Sequence, residues 1–461
     1  MGTDLRYNRL AMAPKPQLFG TDGIRGVAGQ YPLDPNTVLN IGRALGIVLR
    51  NSTAPVRVVL GKDTRESNEW ISRALASGLV ATGAHVADAG IIPTPGIAFL
   101  TRQREFSAGV MVSASHNPYE DNGIKVFSPA GTKLAEAQEV EIEQQIRSLQ
   151  EAPELRQDGT QTVPGWVEDY VAHLASLVPA GFDLSRFRLV VDCAHGAACR
   201  VAPRLLVRLG VKHDALNVAP NGRNINLHCG SLHPQMMVEG TRAAGADLGV
   251  AFDGDADRAI FATREGRLAD GDHVLYALAP YLEQQGKLNG RAIVGTLMTN
   301  LALELAMARR GIGLKRTAVG DKYVLEEMLR SGISLGGEPS GHIIFSDLSL
   351  AGDGLITLLE VLCLLAAVGQ PLGELLRDYQ PFPQMIRNVR VREKPPLDSI
   401  PSVAKAIADC RVDLGETGRV VVRYSGTEPL ARVMVEGMDA QAVEDHTARI
   451  IGAIKAVLGI A

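Results

Sequence analysis

The chain has 461 residues, 46% hydrophobic and 21% charged, so it carries apolar material for several cores and is no disordered polymer. Lys and Arg number 47 against 51 Asp and Glu, a formal net charge of −4, which excludes a dedicated nucleic-acid binder while leaving room for local basic pockets. Aromatics are sparse at 5% and glycines plentiful at 48, as suits an α/β enzyme with many tight loops.

Cys193, Cys199, Cys229, Cys363 and Cys410 are odd in number and form no C-x-x-C pair, which argues against a disulfide framework or a structural zinc. The opening MGTDLRYNRL lacks the apolar core of a signal peptide, and the longest apolar stretch, 361–369, is too short to span a bilayer. The expectation is a soluble, cytoplasmic protein. Its first sixteen residues, polar and proline-containing, read as a mobile extension.

In chain order, one pattern recurs three times. RVVLG at 57–61 leads into a helical period over 70–83 that stops at Gly83, followed by the strand-like HVADAG at 85–90. RLVVDC at 188–193, a helix over 199–210 and VKHDALN at 211–217 repeat it, as do RAIVG at 291–295, a helix over 301–311 and LKRTAVG at 314–320. Each is a β–α–β unit with a parallel sheet, which predicts three related α/β domains. The last stretch differs. A Pro-rich linker leads into a strand over 379–398, a helix follows over 401–414, strands at 418–425 and 431–437 pair, and an amphipathic helix over 440–459 closes the chain.

Five loops hold chemistry. SASHNPYEDNGIKVFS at 113–128 follows the strand-like GVMV, at a strand's carboxyl end, where open α/β sheets place their ligands. Ser115, beside His116 and Asn117, is a hydroxyl nucleophile that needs a neighbouring base or metal; an inert Ser/Asn/Pro turn is the alternative. DGDADR at 253–258 alternates Asp253, Asp255 and Asp257, a crowding that a cation relieves, and its all-oxygen donor set suits Mg²⁺. Arg258 and Arg264 stand where an EF-hand needs Gly and Glu, which excludes that motif and leaves a solvated acidic turn as the rival. GGEPSGH at 336–342 offers Glu338, Ser340 and His342 to vicinal hydroxyls, or is a plain Gly-Pro turn. RYSGTEP at 423–429 with Arg432 sets Arg423, Ser425, Gly426, Thr427 and Arg432 out as a phosphate cradle, or as a charged surface turn. No Walker pattern occurs, so this is not a nucleotide P-loop. In FGTDGIRG at 19–26, glycines flank Arg25, which can reach a shared phosphate. A nucleophile, a cation cage, a hydroxyl-reading loop and a phosphate cradle together are what phosphoryl transfer on a sugar phosphate requires.

With these segments in this order from residue 19 to 432, the chain resembles the α-D-phosphohexomutases. PNGRNINLHCGSLHP at 220–234, GEPSGH and SGTEP resemble the bacterial phosphoglucosamine mutase branch. The resemblance implies an α/β fold of three related α/β mixed-sheet domains plus a C-terminal α+β domain around a central cleft. Its divisions would be 1–165 with the phosphoserine loop, 166–268 with the Mg-binding loop, 269–378 with the sugar-binding loop and 379–461 with the phosphate-binding loop. It implies a phosphoserine at Ser115, with Mg²⁺ held by Ser115, Asp253, Asp255 and Asp257. Glu338 and Ser340 would read sugar hydroxyls with His342 close by, and Arg423, Ser425, Gly426, Thr427 and Arg432 would grip the phosphate that is not reacting. Arg25, Lys125 and Arg258 match positions that neutralise charge or relay protons near the transferring phosphate, and His116 is grouped with them. The implied reaction interconverts glucosamine 6-phosphate and glucosamine 1-phosphate through a glucosamine 1,6-bisphosphate that is intermediate and activator. The partner is a small phosphosugar, with neither nucleic acid nor membrane, and a homodimer remains an option. A phosphomannomutase/phosphoglucomutase of the same mechanism is the near rival; a Mg²⁺-dependent sugar phosphatase and a non-catalytic phosphosugar sensor are the others.

Overall fold

All three β–α–β recurrences form, and each takes the same place in its sheet. The computed structural model describes residues 17–50, 55–149, 160–425 and 429–459; the N-terminal extension expected over the first sixteen residues lies outside the described residues. In the first unit, strand Arg57–Lys62 pairs parallel with His85–Ile91 on one side and with Ala108–Val112 on the other. Ala108–Val112 then turns back into the antiparallel Asp121–Phe127. Arg188–Asp192 pairs likewise with Lys212–Leu216 and Leu248–Phe252, and the latter turns back into Ala259–Thr263. Ala292–Thr296 pairs with Gly313–Thr317 and Leu335–Gly337, which turns back into Ile343–Phe345.

The sheets are therefore mixed, as expected. The serine loop, the acidic loop and the Glu338 loop occupy one topological position in three domains, the turn between the last parallel strand and its antiparallel partner. Every residue of Ala108–Val112, Leu248–Phe252 and Leu335–Gly337 is buried, which is why these runs are apolar without alternation.

One element differs from expectation. The helix read over 199–210 is a 3₁₀ turn, Ala197–Arg200, followed by helix Ala202–Arg208. Pro203, which has no N–H to donate, fits only the first turn of a helix, so the helix starts there.

The C-terminal unit is an antiparallel sheet ordered Gln384–Arg390, Leu430–Gly437, Gly418–Tyr424, with helices Pro401–Leu414 and Ala440–Leu458. It owns a separate core that includes Val389, Val403, Val433 and Ile450. A larger core joins the second and third domains to one face of the first. The linker into the last domain is pinned where it leaves the third. The Asn300 side chain accepts from the Phe382 N–H and donates to the Phe382 carbonyl, both at 3.0 Å, and Arg419 donates to the Thr299 carbonyl at 3.0 Å.

The apolar stretch at 361–369 lies mostly within helix Gly354–Val368, and among the described residues no helix is long and apolar enough to cross a membrane. The five cysteines are free thiols.

Candidate active site

Ser115 is fully buried and has φ +53, a left-handed conformation that costs a non-glycine residue roughly 1–3 kcal/mol. The surroundings hold it there. Arg65, whose side chain is entirely buried, donates to the carbonyls of Ser115 at 3.0 Å, Asn117 at 2.9 Å and Asp121 at 2.9 Å, and to that of Pro118. Asp63 fixes the guanidinium through Nε at 2.9 Å and also accepts from Ser113 Oγ at 2.7 Å. Charge-assisted bonds contribute about 1.5–3 kcal/mol each, so this set outweighs the backbone strain. Ser115 Oγ then points at Asp253 Oδ2, 2.6 Å away, with His116 Nδ1 at 3.2 Å.

The structure brings the three aspartates together. Single oxygens of Asp253, Asp255 and Asp257 lie within 4.8 Å of one another, and all three residues are buried. Asp255 Oδ2 accepts from Lys125 Nζ at 2.8 Å and from Thr94 Oγ1 at 2.5 Å, and Asp257 Oδ2 accepts from Lys125 at 3.3 Å. The other oxygens, Asp255 Oδ1 and Asp257 Oδ1, are buried without a hydrogen-bond partner. Burial, reinforced by repulsion from Asp257 and Asp255, holds the Asp253 carboxyl well above the usual range. Burial also pushes Asp257 upward, but Lys125, His342 and Arg258 outweigh it and leave that carboxyl lowered. Lys125 is buried against Asp22, Asp255 and Asp257; burial favours its neutral form, the carboxylates overcome it, and its pKa is raised. Three buried carboxylates clustered in this way, two of them with an unpartnered oxygen, fit a hard divalent cation such as Mg²⁺.

In front of this centre lies a cavity of about 220 Å³ lined by Arg25, His116, Asp257, Arg258, Glu338 and His342, among others. Residues of three domains therefore meet there. Burial, with Arg258 and Arg25 nearby, pushes the His116 imidazole down to about 4, so it is neutral at physiological pH. Glu338 Oε1 accepts from the Gly320 N–H at 3.1 Å. Ser340 Oγ and His342 Nδ1 are buried without hydrogen-bond partners. A larger cavity of about 370 Å³ backs onto Lys125, Asp257 and His342 from the side of Phe127 and Leu325.

The fourth loop stands apart. Among the described residues, none of the C-terminal unit lines the 220 Å³ cavity. Arg423 faces Arg432 directly across the strand pair, so the two guanidinium groups share one face of the sheet. Like charges opposed in this way repel, and a phosphate between them reverses the sign. Lys394 Nζ donates to the Ser425 carbonyl at 2.6 Å and adds a third cation at the base of the loop. Gly426 and Thr427 lie outside the described residues.

Comparison with known proteins places this arrangement. Family models for the four parts of phosphoglucomutase/phosphomannomutase match in order: alpha/beta/alpha domain I at 16–153, domain II at 168–266, domain III at 270–382 and the C-terminal domain at 387–453. The chain belongs to the phosphoglucomutase/phosphomannomutase family. Among its curated relatives in that family, the phosphoglucosamine mutase of Koribacter versatilis is 50% identical over 97% of this chain and 98% of that protein. The phosphoglucosamine mutase of Solibacter usitatus is 49% identical over 96% and 99%. The fold is shared with a putative phosphomannomutase from Thermus thermophilus, at TM-score 0.78 and 24% identity over 96% of this chain and 100% of that one. It is shared too with the N-acetylphosphoglucosamine mutase of Aspergillus fumigatus, at TM-score 0.65 and 19% identity over 96% of each chain.

Several residues of this phosphoglucomutase/phosphomannomutase family member went unremarked in its sequence. Asp22 pairs with Arg25 and accepts from Lys133 Nζ at 2.7 Å; Lys133 also reaches Asp321 at 2.7 Å, tying the first domain to the third beside the cavity. The Asp63–Arg65 pair left one signal, two opposite charges two residues apart just past a central strand. Lys133 and Asp321 left none, since 188 positions separate them.

Proposed function

We propose that the chain interconverts glucosamine 6-phosphate and glucosamine 1-phosphate by way of a phosphoserine at Ser115. The observation that carries the reading is Ser115 Oγ held 2.6 Å from the acidic triad, in a chain 50% identical over nearly its whole length to a phosphoglucosamine mutase. Phosphorylated Ser115 yields its phosphoryl group to the C1 hydroxyl of glucosamine 6-phosphate. The Oγ–P bond breaks, a P–O1 bond forms, and the product is the 1,6-bisphosphate. That intermediate turns over in the cleft, and Ser115 takes back the phosphoryl group from C6, releasing glucosamine 1-phosphate.

Ser115, Asp253, Asp255 and Asp257 are the residues that would hold Mg²⁺, whose charge, when bound, offsets that of the phosphoryl oxygens. Neutral His116, 3.2 Å from Oγ, offers a ring nitrogen to the serine proton. Arg25 and Arg258 line the cavity where the phosphoryl group would sit, and Lys125 Nζ holds the Asp255 and Asp257 carboxylates in place. Glu338, Ser340 and His342 read hydroxyls from the third domain. Arg423, Ser425, Gly426, Thr427 and Arg432 hold the phosphate that is not reacting. They can reach it by movement of the C-terminal unit about the Asn300–Phe382 clasp, which also excludes water that would hydrolyse the phosphoserine. The same reading divides the chain at 1–165, 166–268, 269–378 and 379–461.

Two results test these roles. Incubation with Mg²⁺ and glucosamine 1,6-bisphosphate places one phosphoryl group on the protein, and peptide mapping finds it on Ser115; phosphate on any other residue contradicts the reading. Arg423→Ala raises KM for glucosamine 6-phosphate by about 10- to 100-fold, the worth of one charge-assisted contact, with kcat within a few-fold of wild type. An unchanged KM removes the cradle.

A further inference from the structure

The 220–226 loop, PNGRNIN, contributes no residue to the phosphoryl transfer proposed for Ser115. It belongs to the second domain, yet it docks on the first. Gly222 accepts from the Glu66 N–H at 2.9 Å, Arg223 Nε donates to Glu66 at 2.6 Å, and the Arg223 guanidinium lies over the Tyr119 ring. At the end of this loop, buried Asn226 donates through Nδ2 to the carbonyls of Ser115 at 2.9 Å and Asn117 at 3.2 Å.

The backbone around Asn226 is tuned to that contact. Asn226 has φ +58, a conformation that asparagine tolerates better than most residues, and its own N–H donates to the Ala194 carbonyl at 2.9 Å. The Gly254 carbonyl in the acidic loop accepts from Ala197 N–H at 2.8 Å, three residues further along the same Ala194 segment. Gly254 also packs against the Ser115 carbonyl: a Cβ there would come within 2.5 Å of that oxygen and 3.0 Å of Asn226 Nδ2. Arg65 grips the same carbonyl, but from inside the first domain. The Asn226 amide thus ties the backbone of the serine loop to the domain carrying the aspartates, beside the hydrogen bond that Ser115 Oγ makes to Asp253.

We infer that Asn226 is a positioning residue for phosphoryl transfer, holding the Ser115 and Asn117 carbonyls so that Ser115 Oγ stays in register with the Asp253–Asp257 loop. The inference rests on the mutase reading. Asparagine is suited to the task because both contacts require a donor. An aspartate of the same shape would turn a charge toward two carbonyl oxygens, and an alanine would leave the Ser115 and Asn117 carbonyls held by Arg65 of their own domain.

The test uses the full chain with Mg²⁺ and compares wild type, Asn226→Asp, Asn226→Ala and Arg223→Ala. Ser115 phosphorylation by glucose 1,6-bisphosphate is followed by intact mass, alongside kcat and KM for glucosamine 6-phosphate and the thermal midpoint. A displacement of about 1 Å at reacting atoms costs on the order of 100-fold. Both Asn226 variants should therefore lose about 30- to 100-fold in phosphorylation rate and kcat, Asn226→Asp the more, with KM within about threefold. Their midpoints should stay within about 5 °C of wild type. Arg223→Ala, which breaks an exposed ion pair and the contact with the Tyr119 ring but leaves the Asn226 amide in place, should change neither rate by more than about twofold. Phosphorylation of Asn226→Ala at the wild-type rate, or a KM loss equal to the kcat loss, overturns the inference. Failure of wild type to phosphorylate Ser115 overturns the mutase reading instead.

Discussion

Replacing Ser115 with alanine lowers turnover by more than about ten-thousand-fold and leaves the dissociation constant for glucosamine 6-phosphate within about threefold of wild type. The asymmetry follows from how the residue is held. Its backbone is fixed by Arg65 and Asn226 through the carbonyl, while Oγ hydrogen-bonds, among the described residues, to Asp253 and His116. Removing Oγ takes away the atom that carries the phosphoryl group and leaves the loop standing. The groups assigned to the sugar and to the distal phosphate lie on other domains and keep their places. Calorimetric titration of the variant with glucosamine 6-phosphate, beside a coupled turnover assay, checks both halves. Retained mutase activity would remove Ser115 from the reaction.

Chelation of divalent cations lowers turnover by at least about 100-fold, and Mg²⁺ restores it. Asp257→Asn or Asp255→Asn weakens the restoring ion. The three aspartates are buried together, two of their oxygens have no partner, and burial with mutual repulsion lifts Asp253 out of the usual carboxylate range. A bound cation relieves that repulsion in the folded chain alone, so binding stabilises the fold, by about 2.7 kcal/mol at a hundredfold excess over Kd. The midpoint of thermal unfolding therefore rises with Mg²⁺ in wild type and rises less in either variant, a readout independent of activity. An unchanged midpoint and EDTA-resistant turnover would contradict the cage.

The parts of this site that were legible in the sequence are those whose chemistry is local. Asp253, Asp255 and Asp257 alternate over five positions after a buried strand, so their crowding is visible without a fold. The β–α–β recurrences were legible because uninterrupted apolar runs and glycine stops are written into neighbouring residues. What could not be read is the partnering. Lys133 meets Asp22 and Asp321 only because the first and third domains pack together, and Asn226 meets Ser115 only because its loop crosses a domain boundary. The break in the helix expected over 199–210 has a local cause, since Pro203 confines itself to the first turn of helix Ala202–Arg208. The cradle of the C-terminal unit is legible as two arginines and two hydroxyls, but the fold sets the strands that carry Arg423 and Arg432 on a separate core, and neither arginine lines the cavity that the other loops enclose.

The central claim is that this machinery moves a phosphoryl group between two positions of a glucosamine phosphate. Its most direct test is paired turnover on Mg²⁺-loaded, phosphorylated protein, comparing glucosamine 6-phosphate with mannose and glucose phosphates while inorganic phosphate is tracked. The account predicts kcat/KM at least about 100-fold higher for the glucosamine ester, about 2.7 kcal/mol of discrimination, with glucosamine 1-phosphate as product and no phosphate released. A preference for mannose or glucose phosphate, or stoichiometric release of inorganic phosphate, would contradict it.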